Sequence, residues 1–166
     1  MSNVESLTAF NALEAGEAER ELLTCCASGA FARYVAALRP YRDLAQLTAV
    51  ADATVRDLDW EDVSEALKAH LRIGERAGGA DREASWSRQE QSGVQDHLRE
   101  ALAEGNHAYE DRFGHVYLVC ATGLSGEEML TRLRDRLVND EEAERAIVRN
   151  ELAKITRLRM AKLVGA

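Results

Sequence analysis

The chain has 166 residues, with 29 acidic against 21 basic side chains and a formal charge of −8. That balance argues against nucleic acid or an anionic membrane as the main partner, and the length suits one domain with a core of its own. Three cysteines, two of them adjacent, do not make a disulfide framework. No apolar run approaches about 18 residues and no leader pattern opens the chain, so the expectation is a cytoplasmic protein.

Ala, Leu, Glu and Arg dominate, proline occurs once, and β-branched runs are few, which favours helices throughout. The spacing predicts a first helix over Ser6–Glu14, stopped near Gly16, and a second over Ala18–Cys26, ending around Ser28-Gly29. Cys25 and Cys26 fall in an apolar stretch and read as small buried residues. A third helix, Ala30–Leu38, closes at Arg39-Pro40, because the residue before proline is pushed out of the α region. From Arg42 to Leu58, Leu44, Leu47, Val50, Ala51, Val55 and Leu58 share one face. Asp59 is then placed to cap a helix over Trp60–Ala69.

Trp60, Val63 and Leu67 make an apolar stripe, and His70 stands next on it at i+3, so one imidazole is expected to turn inward. Ile73–Ala84, with Gly74, Gly78 and Gly79 among charges, reads as the longest loop. The next helix runs over Ser87–Glu104 and ends at Gly105. Ser87, Glu90 and Gln91 share its stripe with Val94, Leu98 and Ala101. Ser87-Arg88-Gln89-Glu90 also fits a capping box, which accounts for Ser87 and Glu90 without function but leaves an inward Gln91 in need of partners. An inward histidine can equally be a satisfied core residue.

Val116–Cys120 is an apolar run whose periodicity does not distinguish a strand from a buried helical turn. Ser125 is expected to cap a helix reaching Val138, with Glu127, Glu128, Arg132, Asp135 and Arg136 on its outer face. Asn139 or Asp140 caps a last helix ending near Leu163. On that helix Arg159 follows Val148, Leu152 and Ile155 at inward positions. Its head either snorkels to the surface or holds the planar edge of a ligand. The expectation is all-α: a single-domain bundle of about eight helices over residues 1–166.

No phosphate loop, dinucleotide fingerprint, H-E-x-x-H or G-x-S-x-G element is present, and His97, His107 and His115 do not pair with one another or with cysteine at ligand spacing. Neither metal nor cofactor is expected. What remains is acid–base chemistry by His70 and Glu90, with polar neighbours for positioning.

Leu67-Lys68-Ala69-His70-Leu71-Arg72-Ile73-Gly74 resembles the AHPRIG segment of the OHCU decarboxylases, which act on 2-oxo-4-hydroxy-4-carboxy-5-ureidoimidazoline in urate breakdown. Ser87-Arg88-Gln89-Glu90-Gln91-Ser92-Gly93 resembles the S-x-x-E-Q-x-G segment of that family, at the expected interval. Leu22–Ser28, Arg39-Pro40, Val119–Gly123, Arg136–Asn139 and Glu151–Ile155 extend the similarity along nearly the whole chain. The resemblance implies an all-helical homodimer that converts this ureidoimidazoline to (S)-allantoin and CO2 without a cofactor. It further implies His70 as the essential histidine and Leu71, Ser87, Glu90 and Gln91 as substrate-binding. Main-chain groups of Leu118, Val119, Cys120, Ala121 and Thr122 and the arginine at Arg159 complete the implied set. Two positions depart from the family: Leu71 stands where proline usually follows the histidine, and Leu124 where many members carry Lys or Arg. The residues by themselves leave open a related acid–base enzyme on another ureide, or a helical interaction module in which His70 and Glu90 form a structural pair.

Overall fold

The structure is a computed structural model that describes residues 6–70 and 98–165. It is all-α: among the described residues there are eight helices and no strand. These are α1 (Leu7–Ala12), α2 (Ala15–Cys25), α3 (Gly29–Ala37), α4 (Leu44–Asp57), α5 (Trp60–Leu67), α6 (Arg99–Phe113), α7 (Gly126–Arg136) and α8 (Glu141–Leu163). The chain divides into two compact units, residues 1–66 with 152–166, and residues 67–151. No described helix is long and apolar enough to cross a membrane.

Short polar side chains start the helices by accepting a backbone N–H that has no partner within the helix. Ser6 takes that of Ala9, Ser28 that of Phe31 and Asp43 that of Gln46. Ser28, expected as the end of the second helix, therefore begins the third. Ser125 and Glu128 form the full reciprocal box at the start of α7, as S-x-x-E predicts. Asp140 caps α8 through the N–H of Ala143 at 2.7 Å, while Asn139 turns elsewhere.

Two glycines behave differently from expectation. Gly16 does not stop a helix but lies in the first turn of α2. Gly105 does not end one either, since α6 continues eight residues beyond it to Phe113. The side chain of Leu133 explains the residue type: a Cβ at Gly105 would meet its methyl carbons at 3.0 and 3.1 Å. Close packing, not chain termination, demands glycine there. The end of α6 is made by Gly114, whose φ of +80° is the left-handed conformation that glycine adopts without strain.

The core of the first unit holds Phe10, Leu22, Phe31, Leu47, Val55, Leu152 and Met160, all with no exposed surface. Burying each such side chain contributes about 1.5–3 kcal/mol before entropy is counted. Cys25 and Cys26 are buried, as expected. Arg39 tethers α1 by donating to the carbonyls of Phe10 at 2.8 Å and Leu13 at 2.9 Å. In the second unit Leu102, Tyr109, Tyr117, Val119, Ala121, Met129 and Leu133 form one apolar cluster between α6, α7 and the segment joining them.

Candidate active site

His70 lies just past the end of α5, which stops at Leu67 rather than Ala69. Its N–H donates to the Leu67 carbonyl at 3.0 Å, closing a final turn that sets the imidazole's starting direction. The residue is half-buried, below the fully buried Val63 and Leu67 of the same stripe. It is neither sealed in the core nor free in solvent. Leu71, Ser87, Glu90 and Gln91 lie outside the described residues.

Residues 116–121 are neither a strand nor a helical turn. Tyr117, Val119 and Ala121 join the apolar cluster at every second position, the period of extended chain, with no partner strand among the described residues. A turn follows in which the N–H of Leu124 donates to the Ala121 carbonyl at 3.0 Å and Gly123 adopts φ +83°. Leu118, Val119 and Ala121 are buried, Cys120 half-buried and Thr122 exposed. Two main-chain groups of this strap are held by side chains. The Leu118 carbonyl accepts from Arg136 Nη1 at 2.7 Å, and the Cys120 N–H donates to Glu151 Oε1 at 3.0 Å.

Arg136 corrects one expectation. Placed by its charge on the outer face of α7, it is 7% exposed and points inward. Its Nε and Nη2 donate to Glu144 Oε2 at 2.8 and 2.5 Å, and its guanidinium lies over the Tyr117 ring at 4.7 Å. Glu144 has no exposed surface and also accepts from the Tyr109 hydroxyl and from Asn139 Nδ2 at 3.2 Å. Burial alone would lower the Arg136 pKa, but hydrogen bonding and the charge of Glu144 outweigh it and hold the guanidinium above its ordinary value. Burial, reinforced by the hydrogen bond to Glu144, pushes the Tyr109 phenol up. Burial pushes Tyr117 up to about 12 despite the opposing charge of Arg136. A signal for Arg136 was available: it follows Met129 and Leu133 at i+7 and i+3, so the helix period outranks the charge. Glu144 likewise precedes Val148 by one turn.

In the first unit, Arg159 is 5% exposed and does not snorkel outward. Its Nη1 donates to the Thr24 carbonyl at 3.4 Å. Cys26 sits in the same neighbourhood, with Thr156 close to its thiol. Burial pushes that thiol up to about 12, against the smaller lowering effects of Thr156 and Arg159. A largely apolar hollow of about 450 Å³ lies elsewhere in this unit, between α3 and α4, and includes Tyr34, Leu38 and Val50. Among the described residues, none of the sequence-predicted site residues lines it. Among the described residues no group of three or more His, Cys, Asp and Glu side chains is arranged to hold a metal ion.

Comparison with known proteins gives a consistent result. The OHCU decarboxylase family model matches residues 11–161. The chain is 31% identical over 163 residues to the uric acid degradation bifunctional protein TTL of Arabidopsis thaliana, covering 92% of this chain and 48% of that protein. It is 37% identical over 59 residues to the 2-oxo-4-hydroxy-4-carboxy-5-ureidoimidazoline decarboxylase of Amia calva, 36% of this chain and 34% of the relative. The chain thus spans about half or less of these curated relatives. A crystal structure of OHCU decarboxylase in the presence of (S)-allantoin superposes with a TM-score of 0.76 at 29% identity, covering 88% of this chain and 98% of the other.

Proposed function

The chain belongs to the OHCU decarboxylase family, and from that premise we propose that it decarboxylates 2-oxo-4-hydroxy-4-carboxy-5-ureidoimidazoline to (S)-allantoin in urate catabolism. The observation that carries this reading is the family match over residues 11–161, supported by an OHCU decarboxylase structure matched over 98% of its length.

The chemistry needs few protein groups. The substrate carbon that carries the carboxylate adjoins a C=N bond. When the C–CO2 bond breaks, its electron pair moves into the ring and the imine nitrogen takes up the negative charge. CO2 departs, and the resulting enol becomes (S)-allantoin when one proton is delivered to one face of the ring carbon bearing the ureido group and the enol O–H proton passes to the ring nitrogen. The substrate is its own electron sink, so this reading requires no cofactor. His70 is the general acid or proton shuttle in this scheme, with a half-buried setting that suits proton exchange. Glu90 holds its charge or binds the ureido N–H groups, while Ser87 and Gln91 read the amide edges. Leu71, Arg159 and main-chain groups of Leu118, Val119, Cys120, Ala121 and Thr122 complete the proposed contacts. Residues 1–166 act as one catalytic domain in a cytoplasmic protein, and the family likeness supports a homodimer.

The test is direct. The ultraviolet absorbance of freshly generated substrate should fall faster with protein than without it, and chiral analysis should find the S enantiomer of allantoin in excess. Decay at the spontaneous rate with racemic product would overturn the assignment.

A further inference from the structure

The strap at residues 117–121 is gripped by two buried side chains that no catalytic role has so far engaged. Arg136, at the end of α7, holds the Leu118 carbonyl at 2.7 Å, and Glu151, 5% exposed on α8, holds the Cys120 N–H at 3.0 Å. These two contacts lie on the peptide planes immediately before and after Val119.

The planarity of the peptide bond gives that arrangement a consequence. Both planes are trans, since the one cis bond among the described residues is Arg39-Pro40. In a trans peptide the C=O and N–H point in opposite directions. Fixing the Leu118 carbonyl on Arg136 therefore turns the Val119 N–H away from Arg136. Fixing the Cys120 N–H on Glu151 turns the Val119 carbonyl away from Glu151. Along extended chain these two groups of one residue share a side, so Val119 presents a donor and an acceptor together, as a strand edge does.

Val119 is 3% exposed, and among the described residues neither its N–H nor its C=O is hydrogen-bonded. Buried main-chain groups in that condition are rare in folded proteins. A paired donor and acceptor matches the N–H and C=O of one amide or ureido edge.

We propose that Arg136 and Glu151 are positioning residues, which set the peptide planes on either side of Val119 and aim its N–H and C=O at an amide or ureido edge of the substrate. This inference rests on the decarboxylase reading and deepens it. Neither side chain touches the substrate; each acts through the main chain.

Glu151 is the better probe, because Arg136 also belongs to the buried ion pair with Glu144. Glu151→Ala removes the acceptor, whereas Glu151→Gln keeps a side-chain oxygen for the Cys120 N–H. Loss of a charge-assisted hydrogen bond that orients the strap should raise KM for the ureidoimidazoline, and weaken (S)-allantoin binding, by about tenfold, with kcat changed by no more than about threefold. Glu151→Gln should recover most of that loss. A purely structural role would instead lower the active fraction, reducing apparent kcat at unchanged KM, and that pattern would overturn the proposal.

Residue-resolved amide exchange on the unaltered protein gives a second readout should Glu151→Ala fold poorly. The Cys120 amide should be protected without ligand, and the Val119 amide should gain protection only when (S)-allantoin is added. Equal protection of Val119 with and without allantoin would sink the inference. Absence of turnover by the unaltered protein would overturn the decarboxylase reading itself, while turnover with unchanged KM in a folded Glu151→Ala variant would overturn the positioning role alone.

Discussion

The Arg136 guanidinium meets the Glu144 carboxylate through two nitrogens, at 2.8 and 2.5 Å, with Glu144 fully buried and Arg136 nearly so. The pair joins the last turn of α7 to the first turn of α8 across the short connection at residues 137–140. Tyr109 and Asn139 fill further acceptor positions on Glu144, so the buried charge is satisfied from several directions.

Removing one member of that pair should cost far more than removing both. Glu144→Leu leaves an uncompensated guanidinium in the core and should destabilise the protein by about 3–5 kcal/mol, read from the urea midpoint. The double change Arg136→Met with Glu144→Leu should recover a substantial part of the loss. Equal stabilities for the single and double variants would show that the pair is not the determining contact.

Turnover should depend on His70 without the fold depending on it. His70→Asn should lower the rate of substrate decay by about 10²–10⁴-fold, the span of general acid–base catalysis. The helical circular dichroism and the melting temperature should stay close to those of the parent, because the residue lies beyond the end of α5 and is only half-buried. A variant with parental turnover would refute the role.

Alkaline conditions should loosen the protein, and the sign follows from burial. The Cys26 thiol, ordinarily near 9.0, and the Tyr117 phenol, ordinarily near 10.0, are each pushed up to about 12 in the folded state. Between the ordinary and raised values the unfolded chain releases protons that the folded chain keeps. Stability is therefore complete below about pH 9 and falls as pH rises toward about 12. Urea midpoints across that window should decline, and Cys26→Ala should flatten the onset of the decline. A level or rising profile would contradict the assignment.

At Gly105 the packing leaves no room for a branched side chain. Gly105→Val would press on the Leu133 methyl carbons, which a Cβ already meets at 3.0 and 3.1 Å. Leu133 is itself fully buried, so it has little freedom to withdraw. Thermal or urea denaturation should show a loss of about 1–3 kcal/mol, characteristic of overpacking. A gain in stability would mean that Leu133 can shift and that the helix ending expected at Gly105 was wrong for another reason.

Several elements were legible in the chain because their causes are local. Ser125 with Glu128 satisfies orphan N–H groups within four residues, and Asp140 does the same for α8, so composition and spacing were enough. Cys25 and Cys26 are buried because they lie in the apolar stretch that ends α2. Arg159 follows its stripe inward, but only the packed structure decided between the surface and Thr24 as the place for its head. Among the catalytic candidates, the order and spacing of motifs pointed to His70, to Ser87, Glu90 and Gln91, and to the strap at residues 118–122, and all of these roles are expectations from those motifs.

The amino-acid sequence by itself determined the all-α class, most helix starts and the family likeness, since helix periodicity, capping and motif spacing act over short stretches of chain. Tertiary packing decided that Gly105 sits inside a helix, that Arg136 turns inward, and that the strap is held at Leu118 and Cys120. Those outcomes depend on Leu133, Glu144 and Glu151, residues far along the chain or on another helix. A charge on a helix reads as solvent-facing until a buried partner of opposite sign lowers the cost of desolvating it. Only the folded chain supplies that partner.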